Sequence, residues 1–343
     1  MSLIIPIENQ HSYSSIQRNQ QLKYTVENHC NAPSRVLVVD WKGDCFLCSC
    51  EAWLPISAGK ISNFAKLADI WTSTTAKELQ QDIADKKYTH CAVDRCGVLH
   101  DNIIQDPYLI SINVDESCNL RCPSCRRDTI MLSSGPEYER KLTEVNHIVD
   151  LLEQFEEPAH IVMSGNGDPL ASAIMRPLIH RFKPRDNQTI RLFTNGLLMK
   201  KQLTDSTIVD HITQYFISID AGSKQVYERV RLGGKWEQLI DNLKFLQPMA
   251  ANNKAEVLLK FVLQKDNYND MKNFAELCIK MGFQGVINRL EDWGTWDAFQ
   301  TEDVIGNHTH PLHVAAVTQL KSVYNQYHDK IQFNPSLVEL CNE

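Results

Sequence analysis

Long apolar segments are missing from this chain. No stretch approaches the roughly 18 consecutive apolar residues that a membrane-spanning helix needs. The segment Met1–Asn31 is polar and lacks the apolar core of a secretory signal. We therefore expect a cytoplasmic chain without a membrane span or an anchor.

An excess of positive charge is missing as well. Lys and Arg number 35 against 42 Asp and Glu, which gives a formal net charge of −7. Nucleic-acid binding draws on basic patches, so nucleic acid is not the expected partner. The length of 343 residues suffices for one barrel-sized domain plus a small one.

A disulfide framework is the third feature that the sequence argues against, although cysteine itself is abundant. The 11 cysteines are an odd number, and no secretory signal precedes them. Many thiols without such a signal indicate a reducing compartment and metal binding.

The most informative cysteines are Cys118, Cys122 and Cys125, which fall within eight residues. Three thiolates can hold three irons of a cubane [4Fe–4S] cluster, and the fourth iron then stays open to bind a second molecule. A zinc site is the alternative, but it wants four nitrogen or sulfur ligands, and the next histidine is His147. Zinc, or thiols that meet by chance, stays open as the competing interpretation.

Strand-like and helix-like segments alternate from about residue 106 onward, which predicts a parallel sheet with helical crossovers. The triplet follows the first strand, and this is the edge where α/β barrels keep their active sites. We expect an α/β fold with a partial (β/α)6 barrel, and an open doubly wound sheet is the competing topology. The expected strands are Leu109–Val114, His160–Met163, Thr189–Phe193, Gln214–Ile219, Glu256–Leu263 and Gly285–Leu290. The expected helices are Arg140–Phe155, Leu170–Phe182, Met199–His211, Trp236–Ala250, Tyr268–Met281 and Leu312–His328.

The first hundred residues have a different pattern. Arg35–Trp41 and Cys45–Cys50 flank a Gly-containing turn and predict a β-hairpin, and Phe64–Ile83 is helix-like. Six of the eleven cysteines lie in this small α+β module. The expected domains are a polar segment 1–29, a cysteine-rich module 30–105, a barrel 106–300 and a C-terminal helical extension 301–343.

The Cys-x3-Cys-x2-Cys triplet after a first strand resembles the signature of the radical S-adenosylmethionine (SAM) enzymes, and the resemblance extends over about 108–290. It implies a [4Fe–4S] cluster on Cys118, Cys122 and Cys125 whose open iron binds the amine and carboxylate of SAM. It also implies reductive cleavage of SAM to a 5′-deoxyadenosyl radical that abstracts hydrogen from a substrate. A flavodoxin- or ferredoxin-type protein would be the electron donor. Ser124 stands where the family usually has an aromatic residue.

A second matching segment, Ser164–Pro169, follows the second strand and resembles the Gly-Gly-Glu-Pro motif of the family. The resemblance implies that Gly165, Asn166, Gly167 and Asp168 contact the methionine part of SAM. Glycines allow close backbone approach, and a carboxylate can pair with an ammonium group. Capping of the following helix is the alternative role for Asp168, which replaces the usual Glu.

The ends of the third to fifth strands carry the rest of the implied SAM pocket. Ser218 and Asp220 lie two residues apart, so we expect them to share one face of a strand and to suit the ribose hydroxyls. Arg231 offers a guanidinium fork for the SAM carboxylate. Helix capping by Asp220 and a surface position for Arg231 are the alternatives. The implied set is completed by Asn195, Val262 and Leu263, with Asn267 as a weaker candidate.

The upstream cysteines resemble, in their order, the auxiliary-cluster modules called SPASM and twitch domains. Such modules usually follow the barrel, whereas this one precedes it. Six cysteines fit one auxiliary [4Fe–4S] cluster better than two, and a structural zinc is the alternative. The implied ligands are Cys30, Cys48, Cys91 and Cys96, with Cys45 or Cys50 as possible substitutes.

The resemblance also bears on the substrate. Relatives with auxiliary clusters mostly modify ribosomal peptides or proteins, so a peptide or protein side chain is the implied substrate. Oxidation or rearrangement of a small molecule or a modified nucleobase is the alternative. A non-catalytic iron–sulfur or zinc protein, which carries electrons or binds a partner, is the alternative of another class.

Overall fold

The computed structural model describes residues 30–49, 54–93, 96, 106–126, 128–292 and 299–342. Contacts between residues divide the chain into two compact units, one of residues 1–116 with 132–190 and one of residues 117–131 with 191–343. Across the described ranges, every helix is too short or too polar to span a membrane.

In its described residues, the first unit contains five strands that are hydrogen-bonded side by side. They are β1 (Val36–Val39), β2 (Asp44–Phe46), β3 (Ser57–Lys60), β4 (Tyr108–Ile112) and β5 (Ala159–Met163). Their order is β3-β2-β1-β4-β5. The pairs β1–β2 and β2–β3 are antiparallel, whereas β4 runs parallel to both β1 and β5. The expected N-terminal hairpin is therefore present, and its first strand shares a sheet with the first strand of the expected barrel.

The hairpin turn is shaped by Asp40 and Gly43. The Asp40 carboxylate accepts hydrogen bonds from the N–H groups of Lys42 and Asp44, at 2.9 and 2.7 Å. Gly43 has a φ of +80°, and a Cβ at this position would lie 2.6 Å from a carboxylate oxygen of Glu144. The turn thus needs glycine both for its backbone conformation and for the close approach of that side chain.

Among the residues that the structure describes, five α-helices belong to the first unit. The single helix expected over 64–83 is wrong, because Ser73 starts a new helix. The Ser73 hydroxyl accepts a hydrogen bond from the N–H of Ala76 at 3.2 Å, as the side chain of an N-cap residue does. The helices are α1 (Ala32–Arg35), α2 (Leu67–Trp71), α3 (Thr74–Ala84), α4 (Pro136–Gln154) and α5 (Arg176–His180).

Helix α5 is shorter than the expected helix over 170–182. Polar side chains hold the preceding residues in turns, since such groups compete with helical hydrogen bonds. The Asp168 carboxylate accepts from the N–H of Leu170 at 2.9 Å, and the Ser172 hydroxyl accepts from the N–H of Met175 at 3.1 Å. The Ser172 hydroxyl also donates to the Asp115 carboxylate at 2.5 Å, which ties this turn to the end of β4.

The second unit contains a run of parallel strands, namely β7 (Ile212–Ser218), β8 (Glu256–Leu263), β9 (Gln284–Arg289) and β10 (Ile331–Phe333). Strand β6 (Gln188–Thr194) straddles the boundary between the units. The helices of this unit are α6 (Met199–Leu203), α7 (Lys224–Val230), α8 (Trp236–Asn252), α9 (Met271–Met281), α10 (His313–Tyr327) and α11 (Pro335–Asn342).

The α/β class is confirmed, and the six expected strands are found as β4 to β9, as a partial (β/α)6 barrel of the radical SAM type requires. The structure adds β3, β10, α1, α7 and α11, which are too short to produce a clear periodicity. The helix expected over 199–211 is restricted to α6 and a separate single 3-10 turn, Val209–His211.

The core of the second unit follows from helix periodicity. Leu239, Leu243 and Leu246 recur every three or four residues of α8 and are fully buried. Phe261 of β8 packs against Phe274 of α9 with ring centroids 5.1 Å apart. Burial of each such side chain stabilises the fold by about 1.5–3 kcal/mol, and it holds the carboxyl ends of β7 and β8 in place.

Candidate active site

The three cysteines of the triplet lie in one hydrogen-bonded loop. The N–H of Cys125 donates to the carbonyl of Cys122 at 2.9 Å, and the N–H of Cys118 donates to the carbonyl of Ile130 at 2.8 Å. Cys122 is buried, Cys118 is half-buried and Cys125 is exposed. The loop therefore presents three thiols in fixed backbone positions with a graded exposure to solvent.

Polar groups of the second unit point hydrogen atoms at two of these sulfurs. Asn195 Nδ2 lies 3.8 Å from Cys118 Sγ, and the N–H of Leu120 donates to the same sulfur at 3.4 Å. Arg231 Nη1 lies 3.5 Å from Cys122 Sγ. Burial raises the pKa of Cys122, and the adjacent Arg231 opposes this by favouring the thiolate. These donors suit sulfurs that carry negative charge.

Arg231 forms a buried ion pair with Asp220 at 2.8 Å. Their side chains are only 12% and 2% exposed, so neither charge is solvated by water alone. Burial raises the pKa of Asp220, while Arg231 and the N–H of Val262, which donates to the carboxylate at 2.8 Å, lower it. The pair places one guanidinium between a carboxylate and a cysteine sulfur. A surface position for Arg231 is therefore wrong.

The expectation that Ser218 and Asp220 share a strand face needs correction. Strand β7 ends at Ser218, and Asp220 has a φ of +54°, in the left-handed region. The two-residue alternation of a strand does not extend through such a residue. Asp220 turns instead toward Arg231 and Val262, and its role toward a ribose stays a prediction.

Two asparagines connect the strand ends. Asn195, directly after β6, also donates to Asn119 Oδ1 at 2.9 Å, within the cysteine loop. Asn267 is fully buried, and its amide donates to the carbonyls of Asp220 and Val262, at 3.0 and 2.8 Å. Asn267 therefore fixes the ends of β7 and β8 against each other, which is a structural role.

The end of β8 is where the resemblance places the contacts to adenine. Val262 is half-buried and Leu263 is buried. Next to them, Gln264 is 3% exposed, and its buried Nε2 has no hydrogen-bond partner in the described structure. Arg231 Nε is buried without a partner in the same way. The second unit thus holds unused donors at Arg231, a residue of the expected SAM pocket, and at Gln264, which the sequence did not single out, and both fit a polar ligand there.

Sequence reasoning missed Lys260, which lies on β8 directly opposite Ser218 of β7. Its ammonium lies 5.5 Å from the centre of the Phe193 ring, and Phe193 is stacked on Phe216 at 4.3 Å. Burial lowers the pKa of Lys260, and Asp220 partly offsets this. The signal in the sequence is a lysine within the otherwise apolar run from Val257 to Leu263.

The segment Ser164–Pro169 belongs to the first unit. Asp168 is 3% exposed, and its carboxylate caps the turn to α5. At Gly165 a Cβ would lie 3.1 Å from the carbonyl oxygen of Asp115, so glycine permits this close approach of two chain segments. Asn166 is exposed and Gly167 is half-buried. Asp168 therefore caps this turn and not helix α5, which begins at Arg176, and the contact of these residues with SAM stays a prediction.

The four preferred auxiliary ligands lie near one another in the first unit. Burial, and then the charges of Cys48, Cys30 and Cys96, raise the pKa of Cys91. Burial raises the pKa of Cys30 to about 11, with a further contribution from Cys96 and an opposing hydrogen bond from the N–H of Ala32, 3.4 Å from the sulfur. Cys91 thus interacts with each of the other three thiols, and four thiols are the donor set that a [4Fe–4S] cluster uses.

The two possible substitutes have different outcomes. Cys45 is fully buried, and after burial the groups that raise its pKa are Asp44, Asp40 and Glu144 rather than the four thiols. Cys50 lies outside the described residues. Within the described part of the chain, no three His, Cys, Asp or Glu side chains converge on a point suited to a single metal ion.

Comparison with protein families places two domains on this chain. Residues 112–278 match the radical SAM superfamily, and residues 30–97 match SPASM, an iron-sulfur cluster-binding domain. The two matched ranges contain the cysteine triplet and the four clustered thiols, respectively. They identify [4Fe–4S] clusters and SAM as cofactors, in agreement with the donor sets described above.

Curated relatives are similar over part of their length. GTP 3′,8-cyclase of Limosilactobacillus fermentum is 24% identical over 200 residues, which cover 54% of this chain and 56% of the relative. Mycofactocin maturase MftC of Mycobacterium ulcerans is 22% identical over 205 residues, 59% of this chain and 53% of the relative. The chain thus spans about half the length of these relatives.

One solved structure is similar to this chain at low sequence identity. The crystal structure of Streptococcus suis SuiB bound to precursor peptide SuiA is 14% identical, covers 78% of this chain and 55% of that chain, and has a TM-score of 0.43. From its two domain matches, the chain belongs to the radical SAM superfamily and carries an SPASM iron–sulfur domain ahead of its radical SAM domain.

Proposed function

We propose that the chain is a radical SAM enzyme that abstracts a hydrogen atom from a peptide or protein side chain, assisted by an auxiliary iron–sulfur cluster. One observation carries the proposal. Within the region that matches the superfamily, the sulfurs of Cys118 and Cys122 accept hydrogen bonds from Asn195 and Arg231. A loop that merely contained cysteines would need no such donors.

The cysteines would bind the cluster, and the residues beside them would stabilise its charge. Cys118, Cys122 and Cys125 would hold a [4Fe–4S] cluster, which would supply the electron for the reductive cleavage of SAM. The three thiols bind as thiolates, so each releases its proton. Asn195 and Arg231 stabilise the resulting negative charge on two of the sulfurs.

The remaining residues that the resemblance assigns to SAM would orient it. The backbone of Gly165, Asn166 and Gly167, with Asp168, would take the methionine ammonium. Ser218 and Asp220 would take the ribose. The side chains of Val262 and Leu263 would flank the adenine and exclude water from it.

Arg231 has a second task in this pocket. Its guanidinium balances the charge of Asp220 and still has an unpaired Nε to offer to a carboxylate. The Arg231 guanidinium can therefore interact with the sulfur of Cys122, the carboxylate of Asp220 and the ligand at the same time.

The auxiliary cluster would be held by Cys30, Cys48, Cys91 and Cys96. These thiols are buried or half-buried, and the positions of Cys30 and Cys91 raise their pKa values. In the absence of metal, Cys30 and Cys91 are therefore neutral at physiological pH. Binding of iron has to displace protons from them, as metal binding to thiols generally does.

The substrate class rests on the SPASM domain, which accompanies peptide and protein modification in the family that this chain resembles. Among the relatives, a mycofactocin maturase is consistent with this choice. A small molecule is the second candidate, because GTP 3′,8-cyclase is a relative of comparable identity.

The first test is the release of 5′-deoxyadenosine. We expect the anaerobically reconstituted chain to form it from SAM after reduction with dithionite. Cys118→Ala should form none, whereas Cys278→Ala, a change to a buried thiol of helix α9, should behave as the unmodified chain. Absence of the product in fully iron-loaded protein would refute the proposal.

The second test separates the substrate classes. The hydrogen atom taken from substrate ends in 5′-deoxyadenosine. Deuterated cell extract divided by size should therefore transfer deuterium to this product from the fraction of peptides and proteins. Transfer only from the fraction of small molecules would favour the second candidate.

A further inference from the structure

The loop that carries the three cysteines also carries an apolar pair that the fold does not bury. Ile130 and Met131 are 41% and 49% exposed. In the described ranges, the other large apolar side chains of comparable exposure are Ile279 and Val314, each on a different helix. Exposed apolar side chains in contiguity are the kind that mark an interaction surface.

The apolar pair is fixed beside a cluster ligand. The carbonyl of Ile130 accepts the hydrogen bond from the N–H of Cys118 at 2.8 Å. The side chains of Ile130 and Met131 therefore leave the backbone where the cysteine loop closes. Cys125, in the same loop, is itself exposed. The accessible part of the sulfur set and the apolar pair thus belong to one short segment, 117–131.

The charge of this segment opposes that of the whole chain. The chain has a net charge of −7, whereas residues 117–131 contain Arg121, Arg126 and Arg127 against a single acid, Asp128. Arg121 is exposed, and its N–H donates to the carbonyl of Leu232 at 3.1 Å, which fixes its position in the loop. A basic segment on an acidic protein attracts acidic partners, while the rest of the chain repels them.

We propose that Arg121, Ile130 and Met131 form a docking surface for an acidic one-electron carrier protein. This inference rests on the proposed function, since a cluster on the three cysteines needs an electron from outside. In the step, the carrier loses one electron and the cluster gains it, and no bond forms or breaks. Electron-transfer encounters bury less than about 1,200 Å² in total, so a small patch with complementary charge is sufficient.

The test compares two reductants on the cluster-loaded chain. Purified flavodoxin, kept reduced by its reductase, has to dock, whereas dithionite reaches the cluster without a docking surface. We expect Arg121→Glu to lower flavodoxin-driven formation of 5′-deoxyadenosine about tenfold and to weaken flavodoxin binding by a similar factor. Met131→Gln should lower both about threefold, since less apolar surface is buried. Dithionite-driven formation should not change.

Matched controls lie elsewhere on the surface. Lys201→Glu makes the same charge change on an exposed residue of α6, and Ile279→Gln removes an exposed apolar side chain of α9. Both should retain the flavodoxin-driven rate and affinity. Met131→Leu should retain them as well, because it keeps an apolar side chain of similar size.

The outcomes that contradict the proposed function differ from those that contradict the docking surface. If dithionite yields no product from the unmodified chain, the proposed function fails before docking is tested, and flavodoxin affinity still reports on the surface. If dithionite yields product and the variants bind and use flavodoxin as the controls do, the docking surface is wrong. A concentration-dependent dimer that Met131→Gln dissociates would assign the patch to a second copy of the chain and overturn the proposal.

Discussion

The two sets of cysteines differ in the charges that surround them. The first set lies in the loop 117–131. Arg231 contacts Cys122 of this set and favours its thiolate, and Asn195 contacts Cys118. In the first unit, burial, and then neighbouring thiols and Asp82, raise the pKa of Cys91. One set is thus supplied with positive charge and hydrogen-bond donors, whereas the other is crowded with groups of its own sign.

This difference bears on what each cluster does. The potential of an iron–sulfur cluster depends on net charge, on hydrogen bonds to the sulfurs and on exposure. The two sets differ in exposure, because Cys125 is exposed while Cys48 and Cys96 are buried, and in the charged groups beside them, because Arg231 acts on Cys122 and Asp82 acts on Cys91. Two clusters in such unlike surroundings are expected to differ in potential, which is what separate catalytic and auxiliary roles require.

The largest expected effect is that a single substitution in either cysteine set removes only the cluster of that set. Cys122→Ala should abolish formation of 5′-deoxyadenosine while the auxiliary iron is retained. Cys91→Ala should lose the auxiliary iron and still form the product from SAM. Iron should fall from about eight to about four per chain in each variant, since a [4Fe–4S] cluster contains four. Iron analysis with product assays checks this, and loss of product in both variants would show that the sets are interdependent.

The second effect tests the positive charge at the loop. Arg231→Met removes the guanidinium and leaves Asp220 buried without its partner, so we expect a loss of about 3–5 kcal/mol in the free energy of unfolding. Urea unfolding of the metal-free chain measures it. Arg181→Met, which removes an ion pair with Asp150 whose side chains are 43% and 51% exposed, should cost about 1 kcal/mol or less. Equal losses in the two variants would contradict a special role for Arg231.

The third effect compares the buried Lys141 with Lys260, which is half-buried. Lys141 donates to the carbonyls of Trp41 and Val114, whereas no described acceptor lies within hydrogen-bond distance of the Lys260 ammonium. Lys141→Met should therefore destabilise the metal-free chain by about 2 kcal/mol. Lys260→Met should stabilise it by about 1 kcal/mol at neutral pH, because a half-buried charge without a hydrogen bond is removed.

The gain at Lys260 should depend on pH in a defined direction. Its pKa in the folded chain lies below the usual 10.5, so the unfolded chain binds the additional proton. The free energy of unfolding of the parent therefore rises as the pH increases through the folded pKa toward 10.5. The advantage of Lys260→Met should shrink over the same interval. Unfolding curves between neutral pH and pH 10 measure it, and a constant difference would refute the assignment.

The smallest effect concerns the boundary of the auxiliary set. Cys45→Ala should keep the full iron content, because carboxylates and not the four thiols surround Cys45. Its expected loss in unfolding free energy is about 1 kcal/mol, from the small buried sulfur alone. Cys48→Ala is the matched variant and should lose the auxiliary iron. If Cys48→Ala retained the auxiliary iron and Cys45→Ala lost it, Cys45 and not Cys48 would be the cluster ligand.

Local sequence was sufficient for the elements that have strong periodicity or fixed spacing. Glu256–Leu263 was predicted with its observed bounds because its apolar run is long and flanked by polar residues. The helix over 64–83 was mispredicted because the cap at Ser73 divides an otherwise continuous pattern. The short helix α5 has a similar cause, since Asp168 and Ser172 hold the preceding residues in turns.

What the sequence by itself determined is the chemistry, namely thiols at a spacing that suits an iron–sulfur cluster and motifs in the order of a known family. Residue type and spacing are local properties, so a linear reading finds them. Tertiary structure decided the charges around those thiols. Arg231 lies 109 residues from Cys122 along the chain, and Cys30, Cys48, Cys91 and Cys96 meet only after folding. Electrostatic energy depends on distance in space, and only the folded chain defines that distance.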